Sequence, residues 1–194
     1  MNNYPKYVEV EGKRYKINTD FRVAIECNRI EEDETIGDFE RALGIICTLY
    51  GKEALDNPNH WEKLLKLAQK YLSCGKEIKD THEEKDMDFV EDYDYITASF
   101  QSDYGISLDE TEMHWWKFFN LVNGLSNSEL GNCCVLNRVR NLRNFDMKDI
   151  KDPKEKARIT RAKESVALKK HEKEVVLTEK QQESVDEFYK SLGF

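Results

Sequence analysis

The segment Ser107-Leu-Asp-Glu-Thr-Glu-Met-His-Trp-Trp-Lys-Phe-Phe-Asn-Leu-Val-Asn-Gly124 constrains the fold more than any other part of the chain. Ser107 and Glu110 have the spacing of a capping box, and Gly124 stands where a helix should stop. Taking about 100° per residue from Met113, Phe118, Val122, Trp115, Phe119 and Trp116 occupy an arc from about 140° to about 300°. A helix that faces one neighbour needs a stripe of only about 100°. The surplus predicts a helix held between two neighbours. The Trp115-Trp116 pair has two readings: both indoles fill a seam between helices, or one of them anchors a partner protein. Core is the reading adopted for at least one of the two.

Three further amphipathic segments precede it. Asn18, Thr19 and Asp20 offer N-caps for a helix containing Phe21, Val23, Ala24, Ile25 and Ile30. A second helix is expected from about Asp38 to Tyr50, with Phe39, Leu43, Ile46 and Tyr50 on one stripe and Gly51 at its end. After the Asn57-Pro58 break, Trp61, Leu64, Leu65, Ala68, Tyr71 and Leu72 form a third stripe, and Gly75 takes the place of a left-handed cap. Tyr93, Tyr95, Ile96 and Phe100 resume a helical pattern up to Gly105. Another helix is expected from Ser128 through Leu130, Cys133, Val135, Leu136 and Val139, and a last short one around Val185, Phe188, Tyr189 and Leu192. The N-terminal stretch differs: Tyr7–Val10 and Arg14–Ile17 flank the turn Glu11-Gly12 and predict a β-hairpin. A lone hairpin is marginal in water, so it must pack on the helices or pair with another strand, which a second copy could supply.

The expected architecture is therefore mainly α: a helical bundle with an N-terminal β-hairpin and a basic, helix-forming C-terminal tail. Residues 1–150 form the helical domain, and residues 151–194 a charged extension. With 194 residues, 21 of them aromatic, the chain can bury a real core. Nine Gly and three Pro disfavour a turn-rich all-β fold. Apolar runs are short and no secretory h-region opens the chain, so a soluble, intracellular protein is expected.

Charge is uneven. The net charge is −8, yet residues 77–112 hold thirteen acidic residues against two lysines, and residues 151–174 hold nine basic against five acidic. The stretch 76–88 reads as a solvated acidic linker. Asp86, Asp88, Glu91, Asp92 and Asp94 read as a charged helix face, or as a patch for a basic segment; they lack the glycine of a calcium loop. The basic run from Lys154 to Lys173 has no interleaved aromatics and alternates with glutamates. A solvated helix is the expectation there, with nucleic-acid contact disfavoured and a salt-sensitive contact to the acidic stretch as an intermediate reading.

Catalytic chemistry finds little support. No phosphate-binding glycine loop, no dinucleotide fingerprint and no nucleophile elbow is present. His60, His82, His114 and His171 are scattered; His82-Glu83-Glu84 reads as a solvated charge run, and His114 as a surface or boundary residue on the polar arc. Cys27, Cys47, Cys74, Cys133 and Cys134 are odd in number and lack metal spacing, so they read as small hydrophobes, Cys47 and Cys133 buried among apolar neighbours. No cofactor, metal or enzymatic activity is expected.

Tyr95-Ile-Thr-Ala-Ser-Phe-Gln-Ser-Asp-Tyr-Gly-Ile-Ser-Leu, then His114-Trp-Trp-Lys-Phe, then Gly124-Leu, and later Lys151-Asp-Pro-Lys-Glu-Lys-Ala-Arg, resemble the bacteriophage tail "gene product fifteen" family over most of the chain. The resemblance implies a protein of the tail-morphogenesis region of long-tailed phages or prophages, encoded near the tape-measure gene. It implies a tail-assembly chaperone that coats the tape-measure protein in the host cytoplasm, acts with a second chaperone or a second copy, and is absent from the mature virion. Trp115, Trp116, Phe118, Phe119 and Val122 are the residues expected to meet the partner. Two rivals use other parts of the chain: a structural tube or tail-completion subunit making ring contacts through the hairpin, and a nucleic-acid-binding regulator using residues 151–173.

Overall fold

The computed structural model describes residues 4–76, 85–127 and 133–169. The hairpin pairs β1 (Tyr7–Val10) with β2 (Lys13–Lys16) antiparallel, Val8 opposite Tyr15 and Val10 opposite Lys13. Its two-residue turn needs positive φ at both positions, and Glu11 (50°) and Gly12 (78°) supply it. The second strand begins one residue earlier than its β-formers suggest, and Ile17 lies just past it, buried.

Seven α-helices follow among the described residues. They are α1 (Phe21–Glu32), α2 (Asp38–Tyr50), α3 (Trp61–Leu72), α4 (Tyr93–Tyr104), α5 (Trp115–Asn123), α6 (Val135–Asn144) and α7 (Pro153–Ser165). Two 3-10 turns, Lys52–Asp56 and Pro58–His60, carry the chain from α2 to α3. This is the mainly helical fold with an N-terminal hairpin that the sequence predicts, with α7 forming the described part of the basic tail. Asp20 caps α1 by accepting from the Arg22 N–H, and Asp152 caps α7 by accepting from Lys154 ahead of Pro153 in the first turn. The expected helix around Val185–Leu192 lies outside the described residues, as do Ser128, Leu130, His82 and His171.

One core joins hairpin and helices. Val10, Tyr15 and Ile17 from the hairpin meet Phe21, Leu49, Leu64, Phe100, Trp115, Phe118 and Leu136, all buried. Phe118 is the aromatic hub, stacked on Phe21 at 4.5 Å and on Phe100 at 5.3 Å between ring centroids. Burying an aromatic of this size contributes about 2–3 kcal/mol through the area removed from water.

Four expectations need correction. The helix carrying the tryptophans starts at Trp115, not Ser107: Met113 accepts from the Phe21 N–H (2.9 Å), and the Trp115 N–H donates to Thr19 (2.8 Å). That backbone pairing, with Leu108 and Met113 buried beneath it, overrides the local capping-box signal. The following helix starts at Val135, because Cys133 pairs with Asn127 in an isolated bridge and Cys134 becomes the cap. Phe39, expected in the core stripe of α2, is 64% exposed; the buried face of α2 is Ile45, Ile46, Leu49 and Tyr50. Cys47 and Cys133 are half-buried, whereas Cys27 and Cys134 are the buried thiols.

Candidate interaction surface

The C-terminus of α3 leaves carbonyls without intrahelical partners. Two of them are taken by consecutive indoles of α5. The Trp116 Nε1–H donates to the Tyr71 carbonyl and the Trp115 Nε1–H to the Leu72 carbonyl, each at 2.9 Å. The chain then turns through Cys74 and Gly75, both at positive φ, and the Gly75 N–H returns to the Lys70 carbonyl at 2.8 Å. A Cβ at Gly75 would stand 3.5 Å from the Trp116 ring, so the left-handed cap expected there also seats the indole.

Burial runs in order around α5. Phe118, Val122 and Trp115, at the lower end of the arc, are buried, whereas Phe119 and Trp116, at the upper end, are half-buried. Three of the five residues expected to meet a partner are therefore core. Trp116 stacks on Tyr71 (6.1 Å) and meets Tyr4 edge-on (6.2 Å). Phe119 lies near Phe89 and carries the Lys76 ammonium 4.9 Å over its ring. Together they form a half-buried aromatic ridge with the Lys76 ammonium at one edge.

His114 ties the N-terminal segment to this ridge. Its Nδ1 accepts from the Trp116 N–H at 3.1 Å, capping α5, which leaves the proton on Nε2 to be donated to the Pro5 carbonyl at 3.0 Å. Tyr4 stacks on the imidazole at 4.9 Å and Tyr71 meets it edge-on at 5.9 Å. Burial, with the Lys6 charge nearby, lowers the His114 pKa and outweighs the Pro5 bond that would raise it. Of the surface and boundary positions expected of His114, the boundary one is found; its role as a helix cap and strap was not legible, since it depends on Pro5, over a hundred residues away.

The acidic run does not form a solvated face. Asp92 is 1% exposed and receives both Arg143 nitrogens at 2.7 Å. Asp86 pairs with Arg140, and Asp88 with Lys85, which also reaches Glu32. Burial opposes ionisation of Asp88, but Lys85 and the Glu91 and Val90 N–H groups outweigh it and hold the carboxyl below its ordinary range. The described part of the expected linker, Lys85–Asp88, is thus docked onto α1 and α6. The basic segment touches the same place: the Lys169 N–H donates to Glu91 (3.0 Å), and Arg143 Nε to the Val166 carbonyl (2.6 Å). An open groove of about 630 Å³ lies between these elements, lined by Glu32, Glu34, Lys85, Asp88, Arg143 and Lys163 among others.

Among the described residues, no group of three or more His, Cys, Asp or Glu side chains could hold a metal ion, and no helix is long and apolar enough to cross a membrane. The described residues form a mainly helical fold that leaves two aromatics of α5, Trp116 and Phe119, half-buried. Residues 1–168 match the model of the bacteriophage Gp15 protein family. The chain belongs to that family, and is thereby a phage protein. No curated protein and no solved structure matches it.

Proposed function

We infer that this protein is a tail-assembly chaperone that binds the tape-measure protein during phage tail morphogenesis and keeps it soluble in the host cytoplasm. The observation that carries the reading is the graded burial of α5, which leaves Trp116 and Phe119 only half-buried, Phe119 beneath Lys76, while Trp115, Phe118 and Val122 hold the fold. A holdase needs an apolar strip to meet an amphipathic helix and charged surroundings to keep the loaded complex dispersed. In this reading the half-buried Trp116 and Phe119 supply part of such a strip, with Lys76 and the exposed Lys117 beside it. Co-expression with the neighbouring tape-measure protein tests the reading: the chaperone co-purifies with it and raises its soluble fraction. A tape-measure protein equally soluble without it would refute the reading.

One observation favours a second reading. Among the described residues both outer edges of the two-stranded hairpin are unpaired, and a structural subunit could add strands there. Mass spectrometry of mature particles separates the two, since a chaperone is absent from them and a tube or completion subunit is present.

A further inference from the structure

The surface holds a second aromatic feature, remote in sequence from α5. Phe39, in the first turn of α2, is the most exposed large apolar side chain among the described residues, at 64%. Its ring stands 5.9 Å from that of Trp61, the first residue of α3. The Trp61 indole nitrogen is itself buried and has no hydrogen-bond partner among the described residues. Burying a polar group without a partner is unfavourable, and a Phe held out in water gains nothing for the monomer. Neither feature is explained by the packing of the described residues.

The setting is strongly acidic. Residues 31–40 contain Glu31, Glu32, Asp33, Glu34, Asp38 and Glu40 and no lysine or arginine. Arg41 and Lys85 answer part of this charge, through Asp38 and Glu32 respectively, and Lys163 and Lys169 line the same groove as Glu32 and Glu34. The Glu40 carboxylate accepts from the Gly37 N–H at 2.8 Å, which fixes the start of α2 and the position of Phe39 with it. Glu34 stands exposed on the approach to the same turn.

We propose that the Phe39–Trp61 platform is a docking site for a basic amphipathic helix of another protein, one whose apolar face covers Phe39 and whose lysines or arginines meet the acidic collar of residues 31–40. Charge complementarity selects this occupant. A second copy could offer its basic residues 151–174, but it would bring them with a net charge of −8 on the whole chain, so a partner that is basic as a whole fits the site better. The inference stands on this surface alone, so it is independent of the chaperone reading built on α5.

The probe is a synthetic twenty-residue helix of leucine and lysine at amphipathic spacing, titrated into the full chain. Its acidic counterpart, with glutamate for lysine, serves as the control. The basic helix binds, more weakly as salt is raised, and the acidic one does not. Phe39→Ser weakens binding by about tenfold or more, as loss of a central apolar anchor should. Because Phe39 is exposed, this variant keeps its circular dichroism and melting temperature. Phe145→Ser, at a side chain 45% exposed elsewhere on the molecule, leaves binding unchanged. Equal binding of the acidic helix, or equal losses in both variants, overturns the proposal. So does sedimentation showing a dimer that Phe39→Ser dissolves, because a second copy would then be the occupant. If the basic helix docks through Phe39 while tape-measure protein fails to co-purify, the chaperone reading falls and the docking site stands.

Discussion

The Trp116 indole nitrogen sits 2.9 Å from the Tyr71 carbonyl, so one of the two half-buried aromatics of α5 is also fastened to the end of α3. Trp115 makes the equivalent bond to Leu72 one residue further on. Rigid presentation of an aromatic lowers the entropy lost when a partner covers it. It also divides labour between neighbours: Trp115 holds the fold, and Trp116 is held by it.

The buried pair Asp92–Arg143 locks α6 to the turn that starts α4. Arg143→Ala leaves the Asp92 carboxylate buried without its cation and lowers stability by about 3–5 kcal/mol. Urea denaturation checks this through the shift in midpoint. Replacing both members with apolar residues of similar volume recovers most of the loss, because no uncompensated charge remains.

Stability also depends on His114. Its folded-state pKa is depressed, so the unfolded chain binds the proton more readily. The stabilisation is therefore complete above the unfolded value of about 6.5 and is lost as pH falls below it, down to the folded pKa. Protonation puts a hydrogen on Nδ1 and removes the cap from the Trp116 N–H. His114→Asn retains a capping side chain and loses this component of the pH dependence, measured as the difference in melting temperature between pH 7.5 and pH 5.5. His114→Ala removes the cap at every pH, at a cost of about 1 kcal/mol.

The thiols are graded in the same physical way. Burial, helped by the charges of Glu26 and Glu31, pushes the Cys27 thiol up to about 12. At pH 8 such a group holds roughly a thousandfold less thiolate than an unperturbed cysteine. Iodoacetamide therefore spares Cys27 in the folded protein and modifies it at an ordinary rate in denaturant, as peptide mass mapping reads out. Rapid modification in the native state would show that the core around Phe21 and Leu49 opens.

Much of this architecture was legible because it is written locally. The Glu11-Gly12 turn, the Asp20 cap, the α3 stripe and the Gly75 stop each depend on residues within a few positions of one another. What failed depended on distant partners. Ser107 and Glu110 carry a genuine helix-start signal, yet the pairing of Met113 with Phe21 and Trp115 with Thr19 takes their backbone for another purpose. Phe39 satisfies the period of α2 but lies in a first turn whose residues are all exposed, so periodicity alone mistook it for core. Within α5 the arc identified the right residues, and its excess width was informative. Which end of the arc the neighbours seal is set by α1 and α4, and no pattern within the helix encodes it. The acidic run carried a signal that was read only in part: Arg140 and Arg143 are three apart and face Asp86 and Asp92 across more than fifty residues of chain.

In the proposed function the half-buried edge of α5 serves association. The most direct measurement of this role is tape-measure solubilisation by Trp116→Ala, read beside that variant's circular dichroism and melting curve. The account predicts a folded protein, modestly destabilised, that no longer keeps the tape-measure protein in solution. Full folding together with full solubilisation would contradict it.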